Sequence, residues 1–336
     1  MTDSATRRLV TELFASQGWP AGGDELLRRS LGPRAPEVLL EAPGRLGLEA
    51  GQLVLDAGCR DATHPIALAR RYGCRVVGVD LVPAWLPGGL ADAAAAGLAD
   101  RVALVQGDLE ALPVADGACD LVWCRDTLSC VGDCARMLAE CARVLRPGGA
   151  MVLYAVFATD ELAPADRALV VEGLHNSPSS MHQPTVEAAI AATGFEVEWR
   201  ERIGSEWTEH QLERDPGHLT QDLLEVARLT RARDQLEPAL GPAWYRRALG
   251  FASWRPQILL GRLVPVLYGL RRPALRHSAG GGRATHHDRP AQPGAGEEPG
   301  VLPAHSRLGA GDGPRLDREP GRPVRPGVRL SLRPGR

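Results

Sequence analysis

An acidic residue and a glycine at the end of an apolar segment are the residues of this sequence best placed to do chemistry. The segment L-V-L-D-A-G-C-R-D-A covers residues 53–62, where Asp56 ends a buried strand and Gly58 lets the chain turn sharply. A helix predicted over His64–Tyr72 begins next to the turn, with its free N–H groups exposed at its first residues. This combination indicates a loop that binds the polar parts of a nucleotide-like cofactor.

Acidic residues also end later strands of the predicted fold. The predicted strands are Leu53–Asp56, Arg75–Asp80, Val102–Gln106, Asp120–Cys124 and Ala150–Phe157, and helical segments such as Asp133–Val144 separate them. Short apolar strands that alternate with helices predict a parallel sheet wound on both sides. Ligands of such sheets bind at the carboxyl ends of the strands, where Asp56, Asp80, Asp108 and Cys124–Asp126 all fall.

The second half of the ordered sequence adds two strands and two helical blocks. A helix is predicted over Thr185–Ala192, a strand over Phe195–Trp199 and a last strand over Val264–Leu270. The predicted fold is therefore a doubly wound, mostly parallel, seven-stranded α/β sheet with helical insertions.

Composition changes abruptly near Arg272. Residues 272–336 contain 12 Arg, 6 acidic residues, 12 Gly and 10 Pro, with no aromatic residue. Such a segment cannot bury enough apolar surface to offset the entropy lost on ordering, so 272–336 is predicted to be disordered. It is either a solvated extension, a stretch translated outside the natural frame, or a basic arm for RNA or acidic partners.

Charge and cysteine usage restrict the function classes. The first 271 residues carry 27 Arg and 35 acidic residues, a net charge of −8, which argues against nucleic-acid and membrane partners. The seven cysteines follow a start without an apolar secretory segment, so reduced thiols in a cytoplasm are expected. The absence of Lys, with abundant Ala, Gly and Pro, is typical of a GC-rich genome and indicates a bacterial source.

Five motifs in series resemble one family. V-L-D-A-G-C, V-V-G-V-D-L-V-P-A-W-L, Q-G-D-L-E-A-L-P, C-D-L-V-W-C-R-D and V-L-R-P-G-G are similar in order and spacing to the class I S-adenosylmethionine-dependent methyltransferases of the small-molecule type. The resemblance covers Leu48–Phe157 strongly and Thr185–Leu270 more loosely. It implies a Rossmann-like methyltransferase domain over 46–271, with insertions 158–183 and 205–256 as a substrate cover, and an N-terminal helical lid over 1–45.

The resemblance also implies roles for the cofactor residues. Asp56 and Gly58 would frame the methionine part of S-adenosylmethionine, and Asp80 would accept hydrogen bonds from both ribose hydroxyls. The remaining contacts would be made by the Leu81 side chain on the adenine face, by Asp108 with the adenine amino group, by the backbone of Leu109, and by Cys124 at the end of strand four.

Two of these aspartates also allow a purely structural interpretation. A carboxylate after strand two suits a neutral diol, because it can accept hydrogen bonds from both hydroxyls. It would repel a phosphate at the same place. Asp80 could instead cap the helix that begins at Pro83. Asp108 could be an ordinary turn residue after Gly107.

Arg60 and Ala62 stand where the family normally has glycine. The Arg60 guanidinium could reach the carboxylate of the bound cofactor, a pairing that Arg geometry favours. It could equally point to solvent or pair with Asp61. A third alternative is that the two substitutions abolish cofactor binding.

Methyl transfer needs mainly a nucleophile held in line with the methyl group, and a base only if the acceptor starts protonated. Asp126 could orient an amine or hydroxyl, and His175 or His182 could remove its proton. Each histidine could also be an ordinary surface or turn residue. The insertion Ala158–Gln183 and residues Thr6–Trp19 are predicted to cover the methyl group.

The cysteines do not predict a metal site. Cys124, Cys130, Cys134 and Cys141 lack the paired C-x-x-C spacing of zinc ligands, so free thiols are expected.

Taken together, the motifs and their resemblance predict S-adenosylmethionine as cofactor, no metal, and a small-molecule acceptor, with a secondary metabolite as one option.

Two other function classes stay open. An inactive methyltransferase-like scaffold would explain the altered loop. An NAD-dependent oxidoreductase would require G-x-G-x-x-G, which Arg60 and Ala62 interrupt. The sequence does not decide whether oxygen, nitrogen or carbon is methylated, nor between monomer and homodimer.

Overall fold

Seven strands form one sheet in the order β3-β2-β1-β4-β5-β7-β6. The computed structural model describes residues 4–15, 25 and 36–274. The first five strands are parallel, whereas β7 runs antiparallel to both β5 and β6. The strands are β1 Leu53–Ala57, β2 Arg75–Asp80, β3 Val102–Gln106, β4 Cys119–Arg125, β5 Leu145–Ala158, β6 Glu196–Arg202 and β7 Leu263–Arg271.

Helices flank the sheet and form most of the second half of the chain. The α-helices are α1 Ser4–Ala15, α2 Ala42–Arg45, α3 Thr63–Tyr72, α4 Leu86–Ala95, α5 Cys134–Val144, α6 Pro164–Arg167, α7 Gln183–Ala192, α8 Glu206–Arg214, α9 Gly217–Arg231, α10 Arg233–Leu240 and α11 Pro242–Leu259. A π-helical turn follows α6 at Ala168–Glu172. The predicted doubly wound, mostly parallel, seven-stranded fold with helical insertions is confirmed.

Two apolar layers bury the sheet on both faces. Helices α5 and α7 cover one face, where Leu55 and Ala57 of β1 point. Helix α3, residues 39–48 and parts of α8 and α11 cover the other face, where Val54 and Trp123 point. Because side chains of a strand alternate between faces, Asp56 projects to the same side as Val54, towards α3.

The fifth strand differs from the prediction. It begins at Leu145 rather than at Ala150, because Leu145 pairs with Cys119 before the register shifts between Cys119 and Leu121. The R-P-G-G sequence is therefore an irregular start of β5 and not a turn before it. Gly149 is required there, since an added Cβ would lie 3.1 Å from the carbonyl oxygen of Asp120.

Asp120, in β4, connects the starts of three neighbouring strands. One of its oxygens accepts from the Leu53 N–H at 2.8 Å, and the other accepts from Arg146 Nε at 2.6 Å. These bonds join the starts of β1, β4 and β5. The carboxyl ends of the same strands consequently lie side by side at the opposite edge.

Part of the N-terminal lid and nearly all of the tail predicted for 272–336 lie outside the described residues. Helix α1 is described, and every side chain reported for it is exposed, including Phe14. None of the helices in 4–15, 25 and 36–274 combines the length and apolarity that crossing a bilayer needs.

Candidate active site

The loop after β1 adopts the turn that the sequence predicts, with three left-handed residues. Gly58 has φ 91°, Arg60 φ 46° and Ala62 φ 61°. The left-handed region suits glycine and costs an ordinary residue about 1–2 kcal/mol. Arg60 and Ala62 thus keep the backbone of a glycine loop without its glycines.

Gly58 is required by packing as well as by φ. A Cβ at Gly58 would collide with the side chain of Thr127, which follows β4. The Thr127 hydroxyl in turn donates to the Arg125 carbonyl at 3.1 Å. The turn after β1 and the loop after β4 therefore touch at the position where only a glycine fits.

Asp80 organises the end of β2. Its Oδ2 accepts from the Arg60 N–H at 2.8 Å, and its Oδ1 accepts from the Val82 N–H at 2.9 Å. The Asp80 side chain is half-buried between these two loops. The contact with Arg60 was not foreseen, and it shows that Asp80 orders the loop after β1 in addition to any ligand contact.

The end of β3 provides a second polar position beside an apolar surface. Asp108 is exposed, and its Oδ1 accepts from the Glu110 N–H at 2.9 Å, so it does form the turn that the sequence allowed. Leu81 exposes 64% of its side chain, whereas Leu109 is buried. A free leucine face next to two aspartates matches the shape and polarity of a nucleoside.

The Arg60 side chain lies over an aromatic ring. Its guanidinium carbon is 5.0 Å from the ring centroid of Trp85, which is 42% exposed. Asp61, the alternative partner, instead accepts from the backbone and hydroxyl of Thr63. Trp85 follows β2, so Arg60 extends to the Asp80 side of the loop.

Asp56 is buried with one oxygen unpartnered. Its exposure is 1%, and Oδ2 has no hydrogen-bond partner. Burial, together with repulsion from Asp80, raises the pKa of Asp56 to about 8, and attraction by Arg125 lowers the pKa only in part. A buried carboxyl oxygen without a hydrogen-bond partner at the end of β1 indicates a missing polar partner.

Arg125 and His64 stand beside Asp56. Asp56 pairs with Trp123 across β1 and β4, so Arg125, two residues further, projects to the same face. Arg125 Nη1 lies 3.1 Å from His64 Nε2, and Arg125 Nε is buried without a partner. Burial and the Arg125 charge lower the pKa of His64 to about 4, so the imidazole is neutral and accepts from the guanidinium.

Asp126 is held in a left-handed backbone conformation directly after β4. Its φ is 58°, unusual for a residue other than glycine, and its N–H donates to the Tyr154 carbonyl at 3.0 Å. The residue is exposed to solvent, yet the surrounding protein raises the pKa of Asp126 to about 6, with an opposing effect of Arg125. Tyr154 stacks on Trp207 of the second insertion at 5.3 Å between ring centroids.

The first insertion packs on the loop that follows Asp126. The Ser177 N–H donates to the Ser129 carbonyl at 2.6 Å, and Cys130 Sγ lies 3.6 Å from Asn176 Oδ1. His175, next to Asn176, is exposed with φ 58°.

His182 lies at the start of α7. Its Nδ1 is 2.7 Å from the Thr185 hydroxyl, and its ring is otherwise exposed. This contact within the first turn of a helix accounts for the residue structurally.

The cysteines are free thiols, and all except Cys130 are buried. Cys124 is only 1% exposed and packs in the apolar layer under α5, so its side chain does not reach the cofactor edge. Any contact of Cys124 with a ligand has to use its backbone. In the described part of the chain, no cluster of His, Cys, Asp and Glu has the arrangement of a metal site.

These features fit S-adenosylmethionine. Asp80 and Leu81 offer a carboxylate and an apolar face for a nucleoside, and the glycine turn at Gly58 gives a close backbone approach. The buried, unpartnered Asp56 oxygen suits the ammonium group of an amino acid. The carboxyl ends of β1 to β3 on this doubly wound sheet thus carry groups that suit a nucleoside and an amino acid.

Comparison with known proteins gives the same class. Residues 55–153 match a family model described as "Methyltransferase domain". Methyltransferase GfsG of Streptomyces halstedii is 32% identical over 194 residues, covering 57% of this chain and 68% of the relative. Dimethylglycine N-methyltransferase of Parasynechococcus marenigrum (strain WH8102) is 32% identical over 180 residues, covering 53% of this chain and 60% of the relative.

A solved structure shares the fold. Geranyl diphosphate C-methyltransferase from Streptomyces coelicolor A3(2), in complex with Mg²⁺, geranyl diphosphate and S-adenosyl-L-homocysteine, aligns with a TM-score of 0.51 at 20% identity. The alignment covers 70% of this chain and 78% of that chain. The chain therefore belongs to the S-adenosylmethionine-dependent methyltransferases, and S-adenosylmethionine is its cofactor.

Proposed function

We propose that the protein transfers the methyl group of S-adenosylmethionine to an oxygen, nitrogen or carbon nucleophile of a small molecule, with Asp126 next to the reacting atoms. The position of Asp126 carries this proposal. It is exposed directly after β4, one strand over from the turn at Gly58, and the loop that follows it contacts the first insertion. The strain at its φ of 58° supports a functional reason for keeping an aspartate there.

The cofactor supplies an activated methyl group, so the protein has to position the acceptor and exclude water. A pKa of about 6 makes Asp126 ionised at neutral pH yet basic enough to accept a proton. Its carboxylate orients the acceptor and takes the proton of a hydroxyl or ammonium group.

Other residues have secondary roles in this proposal. His175 is a second candidate for the proton acceptor, because it lies on the insertion next to Asn176. His182 ranks behind it, since its ring already contacts Thr185. The insertions 158–183 and 205–256 and the lid over 1–45 form the substrate cover around the acceptor.

The proposed cofactor residues surround the ends of β1 to β4. Asp56, Gly58 and Arg60 lie in the first loop, and Arg60 covers the ribose side by its position over Trp85. The other proposed contacts are the Asp80 carboxylate, the Leu81 side chain, the Asp108 carboxylate and the backbone of Leu109 and Cys124.

The net negative charge of the first 271 residues supports a small acceptor rather than a nucleic acid. We place the protein in a bacterial cytoplasm as a monomer or homodimer, with a metabolite of secondary metabolism among the acceptors. The relatives reported above do not restrict the acceptor further, since one is named for N-methylation and this chain spans only 60% of its length.

The experiment is methyl transfer from labelled cofactor with Asp126→Asn and a matched control. Purified protein is screened against small-molecule amines, alcohols and enols until a labelled product appears. Asp126→Asn is expected to lower kcat by about 100-fold or more, while S-adenosylhomocysteine still binds with unchanged affinity. Asp100→Asn, which removes an exposed carboxylate from a distant turn, keeps wild-type kcat. Equal kcat for Asp126→Asn and wild type would contradict the role of Asp126.

A further inference from the structure

We propose that Arg125, oriented by His64, binds the carboxylate of the cofactor's amino-acid group, and that Asp56 binds its ammonium group. This inference rests on the proposed function and adds to it the residues that recognise the zwitterion. It assigns the carboxylate to Arg125, which the loop motif does not contain, instead of Arg60, for which the sequence left this contact open as one of three alternatives.

The first argument is the unpartnered state of two buried polar atoms, one on a carboxyl group and one on a guanidinium. Asp56 Oδ2 and Arg125 Nε are both buried without a hydrogen-bond partner. Arg125 attracts Asp56, but burial keeps the Asp56 carboxyl protonated up to about pH 8, and neither atom hydrogen-bonds to the other. Leaving a buried charged group unsatisfied costs several kcal/mol unless a ligand completes it. A ligand that carries one positive and one negative group satisfies both atoms at once.

The second argument is the state of His64. Because its imidazole is neutral, Nε2 accepts from Arg125 Nη1 and fixes one edge of the guanidinium. Nε is buried and makes no hydrogen bond, so this edge lacks the carboxylate that arginine binds through two parallel N–H groups. His64 is a positioning residue in this arrangement, since it acts through Arg125.

The third argument excludes Arg60 from the same role. Its guanidinium is stacked over Trp85 on the side of Asp80, where the nucleoside binds. Arg125 projects instead from β4 on the face of Asp56, next to the start of α3. The two arginines consequently serve opposite ends of the cofactor.

The test compares two ligands that differ in the amino-acid group. S-adenosylhomocysteine carries it, whereas 5′-methylthioadenosine lacks it. Calorimetry with Arg125→Gln is expected to show S-adenosylhomocysteine bound about 10- to 100-fold more weakly, with the affinity for 5′-methylthioadenosine unchanged. Arg60→Gln is the matched control and is expected to change the affinity for both ligands by the same factor.

Two results would overturn the inference. One is an S-adenosylhomocysteine affinity of Arg125→Gln within about twofold of wild type, and the other is a parallel loss for both ligands. Wild-type protein that binds neither ligand would overturn the proposed function itself, which separates the two failures.

Further variants keep the test decisive if Arg125→Gln does not fold. Arg125→Lys keeps the charge but not the planar fork, so it is expected to retain binding of 5′-methylthioadenosine and lose part of the affinity for S-adenosylhomocysteine. His64→Gln keeps an acceptor for Arg125, so it is expected to lose less affinity for S-adenosylhomocysteine than His64→Leu. Wild-type affinity for S-adenosylhomocysteine in both Arg125→Lys and His64→Leu would refute the arrangement.

Discussion

Replacing Asp56 by Asn is expected to stabilise the ligand-free protein at neutral and alkaline pH while weakening cofactor binding. The physical reason is the burial of Asp56, which raises its pKa from 3.8 to about 8 in the folded state. Between these two values the folded protein holds a proton that the unfolded chain releases. Folding therefore becomes less favourable as the pH rises from about 4 to about 8. Above about pH 8, the contribution of Asp56 to the free energy of unfolding no longer changes with pH.

The size of the effect follows from the two pKa values. Each pH unit inside this window costs about 1.4 kcal/mol of folding free energy. Asparagine has nearly the same shape and no proton to lose, so the variant does not have this slope. The free energy of unfolding of Asp56→Asn, relative to that of wild type, should therefore rise by about 4 kcal/mol between about pH 5 and pH 8.

The assay is urea unfolding of both proteins without ligand, followed by tryptophan fluorescence across this pH range. The difference in free energy of unfolding isolates Asp56, because every other titrating group is shared. Asp100→Asn removes an exposed carboxylate and serves as the control, with a difference from wild type that does not vary with pH. A constant difference between wild type and Asp56→Asn over the range would refute the reasoning, since Asp56 would then be ionised and paired in the folded protein.

Two further predictions concern the loop after β1. Asp80→Ala removes the acceptor for the Arg60 and Val82 N–H groups and for the ribose diol, and should weaken S-adenosylhomocysteine binding about 100-fold by calorimetry; a change below about threefold would contradict this role. Gly58→Ala should cost about 1–2 kcal/mol of unfolding free energy for its φ and a similar amount for the collision with Thr127. Gly51→Ala, at φ 80° in open space, shares only the first cost, so equal losses in the two variants would argue against the collision.

The sheet could be predicted because its signals are local. Apolar runs end at Asp80 and Gln106 in both the sequence and the structure, and the alternation with helices fixes a parallel sheet. The predicted start of β5 was wrong by five residues, because R-P-G-G has the composition of a turn. In the structure, Leu145 already pairs with the neighbouring strand β4. Pairing across strands leaves no local signal.

The site was predictable only where it follows the strand ends. Asp80 ends β2 as predicted and Leu81 follows with an exposed side chain, because a strand end determines both positions, whereas their contacts with the cofactor stay predictions. The contact between Arg125 and His64 depends on β4 being the neighbour of β1 and on which face each side chain takes. No single segment of the sequence indicates the strand order. Once that order is known, the two-residue step from Trp123 to Arg125 indicates that both side chains lie on the same face of the sheet.

The central claim is that the ends of β1 to β4 bind S-adenosylmethionine. Calorimetry of the wild-type protein with S-adenosylhomocysteine and, separately, with NAD tests it most directly. The account predicts saturable binding of one S-adenosylhomocysteine per chain and no heat with NAD. Binding of NAD, or no binding of either molecule, would contradict it.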